Sequence, residues 1–237
     1  MHCGEGDYLE CHRAIAKQSG VTITHHLVSN LPEKEAHNAL WASWREVKHE
    51  HDFFVKLDAD TVLAHDEVLL EFWRMMQANP RITGIQAPLL DYFTDGHING
   101  LNCFSPKVTF RDTSDALFCD RQVDVDHDIV IKSGNVVERL RPAGFHCYHA
   151  TEKQAFHFGI HRALKNQTQV IDLVRQAQKR HGDDIRAWAL IGAGLRPVFY
   201  GQAGDGSWGG GWNYGDALFN DQFEGVKRRF EQFKECM

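Results

Sequence analysis

Residues 52–63 read D-F-F-V-K-L-D-A-D-T-V-L, a short apolar run followed directly by two acids. The run 53–57 has the length and the aromatic and β-branched content of a buried strand, and it predicts one. Asp58 and Asp60 stand at positions i and i+2, so on an extended chain their side chains point the same way. The pattern therefore allows both carboxylates to face one hard cation or one polar ligand.

The residues before this run predict a helix, a strand and a second helix. Asp7 and Glu10 have the spacing of a capping box, which predicts a helix over 8–18. Residues 21–28 are β-branched and predict a strand, and helical spacing returns over 36–47. Strand, helix and strand in this order predict a βαβ unit with parallel strands, so the fold class is α/β. In such sheets ligands collect at the carboxyl ends of the strands, which is where the two acids stand.

Alternating patterns continue after the acid pair. They predict a helix over 66–77, a strand over 82–87, and β-like runs at 108–110 and 129–132 within an irregular stretch 91–135. From residue 152 the pattern is helical to about 195, and a glycine-rich segment, 201–215, and a last charged helix follow. We expect an α/β core over 1–150 and a helical extension over 151–237 within the same compact domain, with the glycine-rich segment as a lid.

Composition narrows the class of protein. With 237 residues, 43% hydrophobic and 24% charged, the chain is long and apolar enough to fold around a core. Its net charge of −6 argues against general nucleic acid binding. No apolar stretch approaches the roughly 20 residues that a membrane-spanning helix needs, and no secretory signal pattern opens the sequence. These features favour the cytoplasm, with peripheral association with the inner membrane left open. The six cysteines contain no C-x-x-C pair and are expected to be reduced, mostly buried thiols.

The run 52–63 resembles the D-x-D region of nucleotide-sugar-dependent glycosyltransferases with the A-type fold, especially the family-2-like group. The similarity includes the element Ala36-His37-Asn38 and the segment 144–150 with the helix after it, and it covers roughly residues 7–165. The resemblance implies a Rossmann-like mixed sheet with a helical C-terminal part. It also implies transfer of a single sugar from a nucleoside-diphosphate sugar to an acceptor hydroxyl, with inversion. The acceptor, a glycan, a lipid-linked compound or a small molecule, stays open.

The resemblance further implies a divalent cation, Mn²⁺ or Mg²⁺, between the D-x-D carboxylates and the diphosphate. Asp58 would lie nearer the nucleotide and Asp60 would bind the metal. A late histidine completes this site in many members, and the candidates are His146 and His149. Three residues apart on a strand, they face opposite sides, so one of them is the ligand, and His149 is favoured because it is closer to the expected strand end.

An inverting transferase also needs a base for the acceptor hydroxyl. Many relatives use a Glu-Asp pair, which this sequence lacks, and the candidates in the corresponding interval are Asp120, Asp124 and Asp126, with Asp120 preferred. Lys34, Arg162 and Lys165 are candidate ligands of the diphosphate, and Trp208 and Trp212 could stack on a sugar ring.

Two features depart from the family. Its first strand would precede Tyr8, where only seven residues stand, and the Q-x-x-R-W motif of processive synthases is missing. Two rival interpretations stay open. Asp58 to Val62 also matches the D-x-D-x-[T/V] motif of haloacid-dehalogenase-type phosphatases, with Asp58 as the nucleophile. The other rival is an inactive A-type fold that serves as a sugar-binding module.

Overall fold

The computed structural model describes residues 5–114, 117–118, 129–132, 141–200 and 217–235. The chain divides into two compact units, Met1–Ala150 and Thr151–Met237, where the sequence predicted a single compact domain with a boundary at this point. Among the described residues, no helix combines the length and the apolarity needed to cross a bilayer.

The first unit is built on a six-stranded mixed sheet. Its strands are β1 (Phe54–Lys56), β2 (Thr61–Leu63), β3 (Ile82–Asp91), β4 (Gly96–Phe104), β5 (Ile129–Lys132) and β6 (Gly144–His146). They lie in the order β1-β4-β3-β6-β2, and β5 pairs with β3. The pairs of β3 with β5 and with β6 are parallel, and the other pairs are antiparallel. The predicted α/β class and mixed sheet are confirmed at this level.

Strand β3 forms the centre of the sheet, where it pairs with β4, β5 and β6, and eight of its ten residues are buried. Helix α3 (Val68–Ala78) packs on it through Val68, Phe72 and Met76, which recur every four residues on one face. Phe72 is 2% exposed, and burying such a side chain stabilises the fold by roughly 2–3 kcal/mol. The apolar pattern of 66–77 and 82–87 was therefore interpreted correctly, although β3 is longer than predicted.

A second cluster forms beneath helix α2 (Glu33–Val47), which follows helix α1 (Tyr8–Ala16) along the chain. Trp41 stacks on Phe110 with ring centroids 4.3 Å apart, and the indole nitrogen of Trp44 donates to the Val108 carbonyl oxygen at 3.3 Å. The predicted helices here are confirmed. Residues 108–110 form no strand; instead they cover the tryptophans of α2.

The predicted βαβ unit is wrong. Residues 21–28 form no strand, and most of their side chains are exposed, because β-branched residues make a strand only where a neighbour accepts their backbone hydrogen bonds. Strand β1 pairs antiparallel with β4, whose register matches Phe54 with Phe104. The stretch expected to be irregular thus supplies a nine-residue strand, Gly96–Phe104.

The second unit is helical, as predicted. It contains α4 (Glu152–Leu164), α5 (Thr168–His181), α6 (Asp184–Gly194), α7 (Arg196–Phe199) and α8 (Ala217–Glu235). Thr151 begins α4 with a reciprocal capping box to Gln154, and the Asp183 carboxylate caps α6. Phe219 and Phe223 of α8 contact Phe156 of α4. The predicted lid, with Trp208 and Trp212, lies outside the described residues.

Candidate metal centre

The D-x-D acids lie in a tight turn between β1 and β2. The backbone N–H of Thr61 donates to the Asp58 carbonyl oxygen at 3.0 Å and closes this turn. The residues of a turn do not alternate as those of a strand do, and the two carboxylates meet different partners. Asp58 Oδ2 accepts a hydrogen bond from Lys56 Nζ at 2.7 Å, whereas Asp60 Oδ2 lies 3.5 Å from His146 Nε2.

Asp60, His146 and Cys147 form a compact group of possible metal ligands. Cys147 Sγ lies 3.5 Å from Asp60 Oδ2 and 3.5 Å from His146 Nε2, so the three atoms mark a triangle with nearly equal sides. Asp58 does not belong to this group. The structure therefore brings one of the two D-x-D acids to the late histidine segment.

Strand pairing explains how these residues meet. In β6, His146 is the register partner of Thr61 on one side and of Asp91 on the other. Asp60 precedes Thr61 and Cys147 follows His146, so the end of the β2–β6 ladder brings all three possible ligands together. The backbone N–H of Cys147 donates to the Asp60 carbonyl oxygen at 2.7 Å and extends the pairing by one bond.

Asp91 orients the histidine. Its fully buried carboxylate lies 2.6 Å from His146 Nδ1 through Oδ1, and its Oδ2 accepts from both the backbone N–H and the hydroxyl of Thr94. With Nδ1 bonded in this way, Nε2 is the nitrogen that faces Asp60 and Cys147. Metal-binding histidines are commonly held by a carboxylate in this manner. One sequence feature could have indicated Asp91: like Asp58, it is an acid that directly follows an apolar run.

The three groups polarise one another. Burial by itself would raise the pKa of Asp60, but the His146 imidazole lowers it below the usual value. Burial would lower the pKa of His146, but Cys147, Asp60 and Asp91 around it raise it well above its usual range. Burial also raises the pKa of the Cys147 thiol, whose S–H donates to Asp60. The carboxylates on either side of His146 thus favour its charged form, and the imidazole in turn favours the ionised form of Asp60.

The donor set fits a divalent cation. A carboxylate oxygen and an imidazole nitrogen suit Mn²⁺, and the thiol sulfur suits softer ions. Asp60 Oδ1 and Asp58 Oδ1 are buried and have no hydrogen-bond partner among the described residues. Buried carboxylate oxygens normally have a hydrogen-bond partner or a metal ion, and these two would be satisfied by a bound cation or polar ligand.

His149, the favoured histidine of the sequence, is engaged elsewhere. Its backbone N–H donates to both carboxylate oxygens of Asp7, at 2.9 and 3.1 Å, and its Nδ1 lies 2.9 Å from Asp7 Oδ1. Its side chain is 56% exposed. The chain turns sharply at Cys147, so strand alternation does not extend to residue 149. Of the two candidate histidines, His146 is therefore the one that lies among the possible metal ligands.

Asp7 also departs from its predicted role. It is fully buried, it makes no side-chain hydrogen bond to the first turn of α1, and burial raises its pKa. The predicted capping box with Glu10 is therefore wrong, because the carboxylate is already occupied by His149. Nothing in the sequence near Asp7 indicated a partner so far along the chain.

The predicted diphosphate ligands have local partners. Lys34 Nζ lies 3.9 Å from Glu35, and Arg162, in the second unit, donates to Gln167 and lies over the Phe158 ring. Lys165 is the C-terminal cap of α4. The proposed base Asp120, with Asp124 and Asp126, lies outside the described residues. The structure instead adds Lys56, a buried lysine beside Asp58 that no pattern in the sequence indicated.

The Ala36-His37-Asn38 element and the cysteines have roles in packing and loop anchoring. Asn38, in the Ala36-His37-Asn38 element, exchanges two hydrogen bonds with the backbone of Thr113, at 3.1 and 2.8 Å, and so anchors a loop. Cys11, Cys103 and Cys147 are free and buried, as predicted. The other cysteines lie outside the described residues.

A cavity of about 590 Å³ adjoins the D-x-D turn. Helix α1, residues 20–27, α2 and strand β1 surround it, and Lys56 and Ala59 line it on the side of the turn. Its volume is that of a site for a drug-sized ligand, roughly 300–1,000 Å³. Histidine and aromatic side chains, among them His12, His25 and Trp73, form part of its wall.

Comparisons of the chain with protein-family models, with curated proteins and with solved structures found no match.

Proposed function

We propose that the chain is a metal-dependent glycosyltransferase that moves a single sugar from a nucleoside-diphosphate sugar to an acceptor hydroxyl, with inversion. One observation carries the proposal: Asp60 Oδ2, from the D-x-D turn, lies 3.5 Å from His146 Nε2, from the late histidine segment. The resemblance in the sequence calls for a D-x-D acid and a late histidine on one cation. The Rossmann-like mixed sheet is compatible with the A-type fold that the same resemblance implies.

In this proposal Asp60 and His146 hold Mn²⁺ or Mg²⁺ against the diphosphate. The cation supplies stabilisation of the negative charge that grows on the departing nucleoside diphosphate. Asp91 keeps the His146 ring in position through its 2.6 Å contact with Nδ1. The buried Lys56 ammonium keeps Asp58 ionised and fixes its carboxylate.

The cavity beside the turn supports a site for the nucleoside part of the donor. It shares Lys56 and Ala59 with the D-x-D region, so a ligand within it would reach the acid pair with its phosphates. For the acceptor side of the reaction we keep Asp120 as the proposed base. Glycans, lipid-linked compounds and small molecules stay candidate acceptors.

The test begins with a panel of nucleoside-diphosphate sugars and Mn²⁺. The full-length chain should bind one of them in isothermal titration and release free nucleoside diphosphate slowly, and faster with a suitable acceptor. Asp60→Asn should lower this release at least about a hundredfold, because transition-state charge would lose its counter-ion. Thr22→Trp, at the cavity wall, should raise the donor KM, while Thr168→Trp, on the exposed start of α5, should not.

Two results would replace the proposal. Hydrolysis of a simple phosphate ester without any nucleotide sugar, abolished by Asp58→Asn, would favour the phosphatase. Binding of a nucleotide sugar with Mn²⁺ but without release of nucleoside diphosphate would favour the sugar-binding module.

A further inference from the structure

We propose that Cys147 is the third ligand of this centre, and that the site binds Zn²⁺ or Co²⁺ in preference to Mn²⁺ and Mg²⁺. The inference refines the cation site on which the proposed function rests. Its test measures metal binding rather than sugar transfer, so either can fail while the other holds.

The geometry of the donor atoms carries the first step. Asp60 Oδ2, His146 Nε2 and Cys147 Sγ form a triangle with sides of 3.5 Å. The point equidistant from its corners lies about 2.0 Å from each atom, close to the length of Zn–N and Zn–O bonds and somewhat below that of a Zn–S bond, about 2.3 Å. An ion slightly out of the plane therefore meets all three donors with little rearrangement. In tetrahedral sites with such bonds, neighbouring ligands are separated by a similar distance.

The backbone aims the thiol at this point. Cys147 has a φ of 56°, in the left-handed region that a residue with a Cβ rarely adopts. The conformation is held by the bond from its N–H to the Asp60 carbonyl oxygen, and its Sγ faces the Asp60 carboxylate. Backbone strain of this kind concentrates at functional sites. A buried cysteine that served only to fill the core would not need it.

The chemistry of sulfur decides the preferred ion. A thiolate is a soft ligand that selects Zn²⁺ over Mg²⁺ and Mn²⁺, and sites with nitrogen and sulfur donors bind Mn²⁺ most weakly in the divalent series. The Cys147 sulfur therefore shifts the preferred ion from Mn²⁺, which a carboxylate and one imidazole suit, to Zn²⁺. It also makes the centre a three-ligand site.

The surroundings match an ion that keeps one position free. Three protein ligands with a carboxylate behind the histidine are the arrangement of zinc sites that accept an exogenous ligand. Here Asp91 is that carboxylate, itself fixed by Thr94. Asp60 Oδ1, on the same carboxylate as the proposed ligand atom Oδ2, is buried and has no hydrogen-bond partner among the described residues. A diphosphate oxygen could complete the coordination.

Cobalt provides the test because it reports its ligands by colour. Titration of the full-length, chelator-treated chain with Co²⁺ should produce a sulfur-to-cobalt charge-transfer band in the near ultraviolet and intense visible bands of four-coordinate Co²⁺. Cys147→Ser should lose the ultraviolet band. Cys147→Gly should lose it too, and glycine tolerates the positive φ, so this variant guards against misfolding. Cys11→Ser is the matched control, since the Cys11 thiol is buried near the turn, 3.8 Å from the Asp58 carbonyl oxygen, but lies outside the ligand group.

Competition with a chromophoric chelator gives the affinities. Zn²⁺ should bind at least about a hundredfold more tightly than Mn²⁺, and Cys147→Gly should remove most of that advantage. A charge-transfer band that persists in Cys147→Gly, or a wild-type chain that binds Mn²⁺ as tightly as Zn²⁺, would overturn the inference. Either result would leave the Asp60–His146 pair, and hence the proposed function, intact.

Discussion

At the scale of single residues, the D-x-D turn beside the candidate centre contains a salt bridge between a buried lysine and a partly exposed aspartate. Lys56 is 7% exposed and its ammonium lies 2.7 Å from Asp58. Burial would raise the pKa of Asp58, but the Lys56 charge lowers it below 3.8. A lowered acid pKa means that the pair stabilises the fold above the unfolded-state value, and that the stabilisation is lost as the pH falls through the folded-state value.

The pH dependence of the Lys56–Asp58 pair can be measured in the metal-free chain. Asp58→Asn should lower the free energy of unfolding by about 1 kcal/mol at pH 7, a modest figure because about a third of the Asp58 side chain is exposed. Urea unfolding of both proteins from pH 7 to 3 should show this difference shrinking at the acid end. A difference that stays constant across the range would contradict the assignment, and the exposed Asp52→Asn is the control.

Asp91 acts on the metal through His146, as a positioning residue. Asp91→Asn should weaken metal binding about 10- to 100-fold, because an amide NH₂ must face either the imidazole or the Thr94 donors. Thr94→Val removes only one of these bonds and should weaken binding by a few-fold at most. Chelator competition measures both, with Co²⁺ spectra to show whether the coordination is retained. Equal effects of the two substitutions would indicate general destabilisation instead.

At the scale of elements, helices α4 and α6 of the second unit approach each other closely at two glycines. A Cβ at Gly159 would overlap the Ala189 carbonyl oxygen, and one at Gly192 would overlap the Phe156 carbonyl oxygen. The two glycines thus let each helix backbone rest on the other. Neither glycine has a positive φ, so the need is for space and not for an unusual backbone conformation.

This packing yields a prediction with an internal control. Gly159→Ala should lower the free energy of unfolding by about 2–3 kcal/mol, since a backbone atom cannot give way as a flexible side chain can. Gly194→Ala, where a Cβ would meet nothing within 4 Å, should be neutral or stabilise by up to about 1 kcal/mol. Thermal and urea unfolding of the two variants measure the contrast. Equal stability would show that the helices separate easily.

At the scale of the whole molecule, the first unit is closed by a contact between residues near its two ends. The Asp7 carboxylate accepts a hydrogen bond from the backbone N–H of His149 and is also bonded to the imidazole Nδ1 of this residue, which lies two positions after Cys147. This link holds the segment that carries the candidate ligands against the start of α1. The Asp7 side chain is fully buried, and both of its carboxylate oxygens accept hydrogen bonds from His149.

Removing the link should be costly. Asp7→Ala should destabilise the chain by about 1–3 kcal/mol, because the His149 N–H would lose its acceptor. Glu10→Ala should cost less than about 0.5 kcal/mol, since Glu10 contacts only Arg13 on the surface among the described residues. Thermal unfolding compares them. Equal losses of stability in the two variants would contradict the importance assigned to the Asp7–His149 link.

The sequence by itself determined the features that depend on neighbours along the chain. The helices at Glu33–Val47, Val68–Ala78 and in the second unit follow from apolar spacing, and the strands at Phe54–Lys56 and Ile82–Asp91 from buried runs. It also proposed Asp60, together with Asp58, as an acid of the site and His146 as one of two candidate histidines, although it favoured His149. Apolar spacing and the residue types at strand ends are properties of short stretches of chain, so they can be recognised in the sequence alone.

Only the tertiary structure decided which of these residues meet. Antiparallel pairing of β2 with β6 brings Asp60 to His146, and parallel pairing of β3 with β6 brings Asp91 behind it. The same register brings Cys147 to the centre, while Asp7 holds His149 away from it and Lys56 holds Asp58. Strand register and the partners of buried charges depend on residues far apart in the chain, and no local pattern records them.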